Sequence, residues 1–357
     1  MHQPAFDHFP FQIWSQLVTR HSRNPQADML HHINPLGSER FRKAICEYLS
    51  TARAVKCEPD QVMVVTGSQQ ALDITARVLL DPGSEVFIEE PGYALARRVL
   101  TAAGCRLIPL PVDGEGMMIA QGIKRHRKAR AAFVTPSHQY PLGSTMSATR
   151  RLHLLNWAQS SGSWIIEDDY DSEYRYDSKP IASLQGLDVN SRVIYIGTFS
   201  KVLFPSLRIG YIVIPPDLVG RFAAMRFAMD IFPPYLYQEV LADFMLLGHF
   251  GRHIRKMRQL YGERRDALIK SIRDEFGEML QVHGANAGTH LTVTLPDGFR
   301  DQQITAMAAN QRLWLLGLSP CYLGKMARQG FVLGFGSTPA DQMPQAVRHL
   351  RSVIGNC

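Results

Sequence analysis

From about residue 60 to residue 215 the chain alternates two hydrophobic patterns. Short, nearly continuous apolar runs recur: QVMVV (61–65), EVFIE (85–89), CRLIPL (105–110), AAFV (131–134), SWIIE (163–167), RVIYI (192–196) and GYIVI (210–214). Amphipathic stretches such as QALDITARVLL and SATRRLHLLNWAQS lie between several of them. This alternation predicts an α/β fold on a largely parallel central sheet. Strands with so little polar alternation predict a sheet covered on both faces. The chain ends read differently. A long charged helix is predicted over about 238–276, then short strands at THLTVTL and GFVLGFG and a final helix in ADQMPQAVRHLRSVI. The expected organisation is an N-terminal segment (1–45) joining a small domain, a large α/β domain (46–245) and a C-terminal small α+β domain (246–357).

Composition adds exclusions. The 357 residues are 45% hydrophobic and 20% charged, an ordinary globular mixture that permits a large core. No apolar run is long enough to cross a bilayer, and MHQPAFDHFPFQIW lacks a signal-peptide layout, so a cytoplasmic chain with no membrane partner is expected. Five scattered cysteines without a C-x-x-C pair predict reduced, mostly buried thiols, with no disulfide framework and no zinc site. Much of the net charge of +7 lies in KRHRKAR (124–130) and GRHIRKMRQLYGERR (251–265), which read as solvated helix faces. No zinc-finger, RNP-like or helix-turn-helix pattern accompanies them. Weak, salt-sensitive and sequence-blind contact is the most they predict, with no specific DNA binding by this chain alone.

Ligands of open α/β sheets bind at the carboxyl ends of the strands, so the segments that follow the apolar runs carry the chemistry. After QVMVV comes Thr66-Gly67-Ser68, entering a helix. It is either a plain serine cap or a cradle in which the helix N-terminus attracts a phosphate. After SWIIE come Asp168, Asp169, Tyr170 and Asp171. Clustered carboxylates fit a hard cation, a helix cap, or the protonated nitrogen of a bound heteroaromatic ring. After RVIYI come Thr198, Ser200 and Lys201, with Arg208 seven residues on. Phe199, Val202, Leu203 and Phe204 pull that lysine toward the interior, which disfavours its charged form and makes it a better nucleophile. EPGY (90–93) supplies Tyr93, an aromatic able to stack on a flat ring. Jointly these provide an imine-forming amine, a carboxylate, phosphate donors and a stacking ring, the requirements of pyridoxal 5′-phosphate.

TGSQQALDI (66–74), EEPGYALARR (89–98), TPSHQYPLGSTMSATRRLHLL (135–155), IIEDDYDSEYRYD (165–177) and GTFSKVLFPSLRIGY (197–211) carry a resemblance over nearly the whole chain. The chain resembles the aspartate-aminotransferase superfamily, fold type I of the pyridoxal-phosphate enzymes. More narrowly, it is similar to the class I/II aminotransferase-like domain of MocR-type regulators of the GntR superfamily. The resemblance implies that Lys201 forms the Schiff base, Asp168 pairs with the pyridine nitrogen and Tyr170 bonds the ring hydroxyl. Ser68, Gln69, Thr198, Ser200 and Arg208 would surround the phosphate, and Tyr93 would stack on the ring. It also implies a homodimer with active sites at the interface.

Three positions depart from the transaminase pattern. Tyr140-Pro141-Leu142-Gly143 stands where Asn-Pro-x-Gly is usual, with His138 and Gln139 as replacements for the ring-hydroxyl contact. Val332 stands where an arginine would grip a substrate carboxylate, and His32 where a tyrosine would reach the partner subunit's phosphate. The winged helix of MocR-type regulators is expected to be missing, making the chain a truncated regulator or a free-standing relative. Two functions are expected to compete: an aminotransferase acting on a small amine or amino acid, and an effector-sensing domain that binds cofactor and amine without turnover. A metal-dependent hydrolase built on Asp168, Asp169 and Asp171 would explain neither Lys201 nor the phosphate cradle, and no metal is expected.

Overall fold

The computed structural model describes residues 3–23, 31, 34–176, 181–324 and 326–355. Two N-terminal helices, α1 (Phe11–Arg23) and α2 (Glu39–Arg53), lead into β1 (Val62–Val65). There follow α3 (Ser68–Leu79), β2 (Glu85–Glu90), α4 (Ala94–Ala102), β3 (Arg106–Asp113), β4 (Gly116–Met117) and α5 (Ile119–Arg125). Next come β5 (Ala131–Val134), α6 (Ala148–Ser161), β6 (Trp164–Asp169), α7 (Leu184–Leu187), β7 (Val193–Thr198) and β8 (Gly210–Val213). Each of the seven apolar runs forms a strand. They assemble with β4 into one eight-stranded sheet in the order β1-β8-β7-β6-β5-β2-β3-β4. The body from β7 to β3 is parallel, while β8 runs antiparallel to both β7 and β1, and β4 to β3.

The pleat divides the sheet residues between two layers. Met63, Ile88, Phe133, Ile166, Ile196 and Ile212 face one apolar layer, shared with Leu72 of α3 and Leu100 of α4. Their alternates Phe87, Ala132, Ile165 and Val193 face the other, with Leu154 and Trp157 of α6. Burial on both faces explains why the runs show so little polar alternation. Helix α6 is bounded as its sequence suggests: the Ser147 hydroxyl accepts from the Arg150 N–H at 3.2 Å, and Gly162 ends it in the left-handed region.

Beyond the sheet, α8 (Val219–Asp230), α9 (Leu236–Leu246) and α10 (His249–Phe276) follow. The single helix expected over 238–276 is therefore two. Gly248 adopts φ +76° and its N–H returns to the Met245 carbonyl, closing α9 before α10 starts. A second sheet, entirely antiparallel, joins β9 (Gln281–His283), β10 (His290–Thr294), β11 (Leu316–Gly317) and β12 (Gly330–Gly334) in the order β11-β12-β10-β9. Helices α11 (Asp301–Asn310) and α12 (Met343–Gly355) complete the chain. The strands β9 and β11 and the helix α11 are too short or too weakly patterned to be read from the sequence. One apolar cluster runs from Phe9, Trp14 and Phe41 near the N-terminus to Met257 of α10, Phe331 of β12 and Val347 of α12. Among the described residues no helix is long and apolar enough to cross a membrane.

The same cluster fixes the loop after β7. Phe199, Val202 and Leu203 are each 1% exposed. The Phe199 ring lies 5.7 Å from Phe41, 5.5 Å from Tyr211 and 5.8 Å from Phe250. Lys201 is thus carried on a loop whose neighbours are core residues. Truncating Phe199 to alanine is expected to cost about 3–5 kcal/mol of unfolding free energy, measured by urea denaturation. A loss below about 1 kcal/mol would mean that the loop is not anchored this way.

Candidate functional site

The carboxyl ends of β1, β2, β5, β6 and β7 lie along one edge of the sheet, and the candidates between Ser68 and Arg208 sit there or in a loop just beyond. Gly67 holds φ +128° at the entry to α3, a conformation that side-chain-bearing residues rarely adopt. Arg208, itself in the left-handed region, lays its guanidinium beside that bare backbone, 3.5 Å from where a Cβ of Gly67 would stand. The first turn of α3, which begins at Ser68, and the Arg208 guanidinium are therefore brought together at Gly67, where N–H groups and a cation can meet an anion. Thr198 Oγ1 accepts from the Ser200 N–H at 3.2 Å, and Ser200 Oγ is buried without a hydrogen-bond partner. Gln69 approaches the Tyr93 hydroxyl at 3.4 Å. Burial pushes the Tyr93 phenol up to about 12, with Asp168 adding to the rise and Gln69 and Arg208 opposing it.

Asp168 and Asp169 are consecutive on β6, so the pleat aims them to opposite faces. Asp169 accepts from Arg53 Nε at 2.7 Å and from the Tyr195 hydroxyl at 2.6 Å. Its role is a buried ion pair with the end of α2, and nothing in the local sequence points to a partner 116 positions away. Asp168 has no such partner: its Oδ1 is buried and unbonded. Burial pushes its carboxyl up to about 7, helped by Asp169, Asp171 and Glu89 and opposed by Lys201. Lys201 is the converse case. Burial pulls its ammonium down, while Asp171 and Asp168 hold it up.

Tyr170 donates its hydroxyl to the His138 carbonyl at 2.8 Å and lies 3.3 Å from His138 Nδ1. That nitrogen also meets both carboxylate oxygens of Asp171 at 3.1 Å, and the Thr289 N–H donates to Asp171 at 3.3 Å. His138 and Asp171 are each 1% exposed. The pair fits only because position 288 lacks a side chain: a Cβ on Gly288 would stand 2.2 Å from His138 and 2.3 Å from Asp171. His290 of β10 packs on His138 with ring centroids 4.7 Å apart. Ligand atoms of His138, Asp171 and His290 lie within 4.8 Å of one another, the only such metal-capable group among the described residues. The three carboxylates Asp168, Asp169 and Asp171 do not form one, which removes the geometric basis of the hydrolase reading.

Other expectations change. Gln139 is not free to reach a ring: its Nε2 donates to the Pro91 carbonyl at 2.9 Å and approaches Glu89 at 3.3 Å, and its Oε1 accepts from the Leu142 N–H at 3.0 Å. Tyr140 instead stands among rings, 5.6 Å from Tyr93, 5.5 Å from His290 and 6.3 Å from Tyr170. Val332 is 4% exposed in β12, opposite Thr292 and Leu316. His32 lies outside the described residues. Glu89, quoted in a motif but given no role, accepts from the Thr135 hydroxyl at 2.6 Å, and burial pushes its carboxyl up to about 7.

The basic runs lie apart from this edge. Arg106, Lys124, Arg125, Lys128 and Arg130 line a groove of about 580 Å³ with Glu85 at the amino ends of β2, β3 and β5, across the sheet from Lys201. The second run is not simply solvated. Arg264 is 2% exposed and bonds the Gly336 carbonyl, and Arg265 lies 4.5 Å over the Tyr176 ring.

The family model for aminotransferase class I and II matches residues 16–346. A probable rhizopine catabolism regulatory protein, MocR of Rhizobium meliloti, is 40% identical over 351 residues, covering 98% of this chain and 71% of that protein. Aromatic-amino-acid aminotransferase 1 of Thermococcus litoralis is 26% identical over 98% of this chain and 86% of its own. Among solved structures, the kynurenine aminotransferase of Pyrococcus horikoshii superposes with a TM-score of 0.92 at 27% identity, over 100% of this chain and 90% of that one.

The two aspartates should respond differently to amidation. Asp169→Asn leaves Arg53 buried and uncompensated and is expected to cost about 3–5 kcal/mol of stability, read by urea denaturation. Asp168→Asn removes a buried carboxylate with no partner. A folded-state value near 7, above the ordinary 3.8, means that the protonated form stabilises the fold and that this contribution is lost as pH rises through the folded value. The stability of cofactor-free wild type minus that of Asp168→Asn should therefore fall between about pH 4 and pH 7. A difference that is flat or rises over that window would contradict the assignment.

Proposed function

The chain belongs to the aminotransferase class I and II family, and from that premise we propose that it binds pyridoxal 5′-phosphate through Lys201 and passes it to a small amine. One observation carries this reading: a buried, unpartnered Asp168 carboxylate placed to interact with a lysine whose charge is disfavoured by burial. The residues present fit the cofactor. The N-terminus of α3 with Ser68, Gln69, Thr198, Ser200 and Arg208 would hold its phosphate, and Tyr93 would cover its ring. When bound, it supplies an aldehyde for imine formation and a ring that withdraws electrons from the substrate carbon.

The remaining chemistry belongs to the chain. Burial keeps a larger fraction of the Lys201 amine uncharged, the form that adds to an aldehyde. The uncharged Lys201 amine would also serve as the base that removes and returns the proton at the substrate Cα. Asp168, ionised opposite a cationic ring nitrogen, would hold a proton on that nitrogen and recover the cost of its own burial. Tyr170, fixed through the His138 carbonyl and flanked by the His138–Asp171 pair, would meet the ring oxygen. With the buried, apolar Val332 in β12, the reading favours an amine over an ordinary α-amino acid.

A second reading, an effector-sensing domain in which the amine adduct is the signal, is favoured by the 40% identity to a regulator. Both readings include a cytoplasmic homodimer. Exposed apolar side chains support the dimer: Phe227 and Met229 on α8, Ile231 just beyond it, and Tyr237, Leu246 and Leu247 on or beside α9.

Purified protein loaded with the cofactor should be yellow, and borohydride should fix the label on Lys201. Lys201→Ala should lose the reducible link while keeping some cofactor through its phosphate. A reducible adduct at a single site in that variant would refute the lysine assignment. Mixing the loaded protein with a panel of amines separates the two functions: conversion to the pyridoxamine form marks turnover, and a spectral shift without conversion marks sensing.

A further inference from the structure

Away from the sheet edge, two cysteines that the sequence places eleven positions apart meet. Cys46 on α2 and Cys57, in the segment between α2 and β1, lie with their sulfurs 3.4 Å apart, and both are half-buried. We propose that Cys46 and Cys57 form a dithiol that closes to a disulfide by exchange with a small disulfide of the glutathione class.

The placement is a product of the helix end. Helix α2 stops at Arg53, Ala54 takes the left-handed conformation with φ 53°, and the chain doubles back along the helix to bring position 57 beside position 46. The other described cysteines, Cys105 and Cys321, are buried and not in contact with a second thiol. The two sulfurs need approach by little more than an ångström to reach the bond length of about 2.05 Å. The neighbours also differentiate the two thiols. The contact with Cys57 favours the Cys46 thiolate, burial and the nearby Glu58 oppose it, and Arg42, one turn earlier on the same helix, favours it against Glu47. The same contact and burial hold the Cys57 thiol in its protonated form. Either sulfur can attack first, and the same disulfide results.

The exchange balances as two displacements. The Cys46 thiolate attacks one sulfur of the small disulfide, forming a mixed disulfide and releasing one small thiolate. Cys57 then loses its proton to solvent, attacks the Cys46 sulfur and releases the second small thiolate. Two protein thiols are oxidised and one small disulfide is reduced to two thiols. The bridge closes a loop that contains Arg53, whose guanidinium bonds Asp169 and Ser137 at the candidate site. The modification therefore falls on the segment that neutralises Asp169 next to Asp168.

Trypsin would place the two cysteines in separate peptides, 44–53 and 57–77. Full-length protein equilibrated with oxidised glutathione, then alkylated and digested, should yield these two peptides joined, with two fewer alkylatable thiols than the reduced control. In Cys57→Ser the glutathione adduct should accumulate on Cys46. In Cys46→Ser it should stop at Cys57, and neither variant should yield the joined peptides. Peptides recovered singly and fully alkylated from wild type, or a cross-link that joins either cysteine to a different one, would overturn the proposal.

Discussion

Two acidic residues in a row on a strand cannot point the same way, and the candidate site depends on what the fold does with each. On β6 the pleat turns Asp169 toward α2, where Arg53 and Tyr195 compensate it, and Asp168 toward the layer under α3 and α4, where its Oδ1 finds no hydrogen bond and only Lys201 offsets the charge. A buried charge without a partner is costly, so the unbound protein holds Asp168 close to the point of protonation. A cation that enters beside it recovers that cost. The fit of the site to the protonated heteroaromatic proposed for it would thus follow from an asymmetry between neighbours rather than from a tally of acidic residues.

Around that asymmetry the remaining parts are held by different layers of the molecule. Lys201 is held from below by aromatic packing of Phe199 against Phe41, Tyr211 and Phe250. The anion cradle is held by backbone conformation, with Gly67 and Arg208 both at positive φ. Tyr170 and His138 are held by Asp171, and through Thr289 and His290 they touch the second sheet. A movement of that sheet relative to the first would act on the Tyr170–His138–Asp171 group before it reached Lys201 or Asp168.

Local pattern was enough to locate seven of the eight strands of the main sheet, because buried strands read as continuous apolar runs wherever they pair. It was also enough to place the lysine, the aspartate, the glycine–serine turn and the tyrosine at strand ends, since each follows its run directly. Helix termination was harder. The break at Gly248 depends on one left-handed residue inside a long amphipathic stretch, and a mid-helix glycine is tolerated often enough to be ambiguous.

The sequence by itself determined the α/β class, the order of the seven apolar strands and the residue types available at the sheet's carboxyl edge, because these follow from short-range periodicity and from the direction of the strands. Only the tertiary structure decided which of those residues are free to act. Asp169 is neutralised by an arginine 116 positions earlier, Gln139 is occupied by Glu89 and the Pro91 carbonyl, and His138 is paired with Asp171 in space that Gly288 leaves open. Each of these depends on contacts between distant segments. A carboxylate or an imidazole looks the same in the sequence whether it is compensated or bare, and compensation is a property of three-dimensional neighbours.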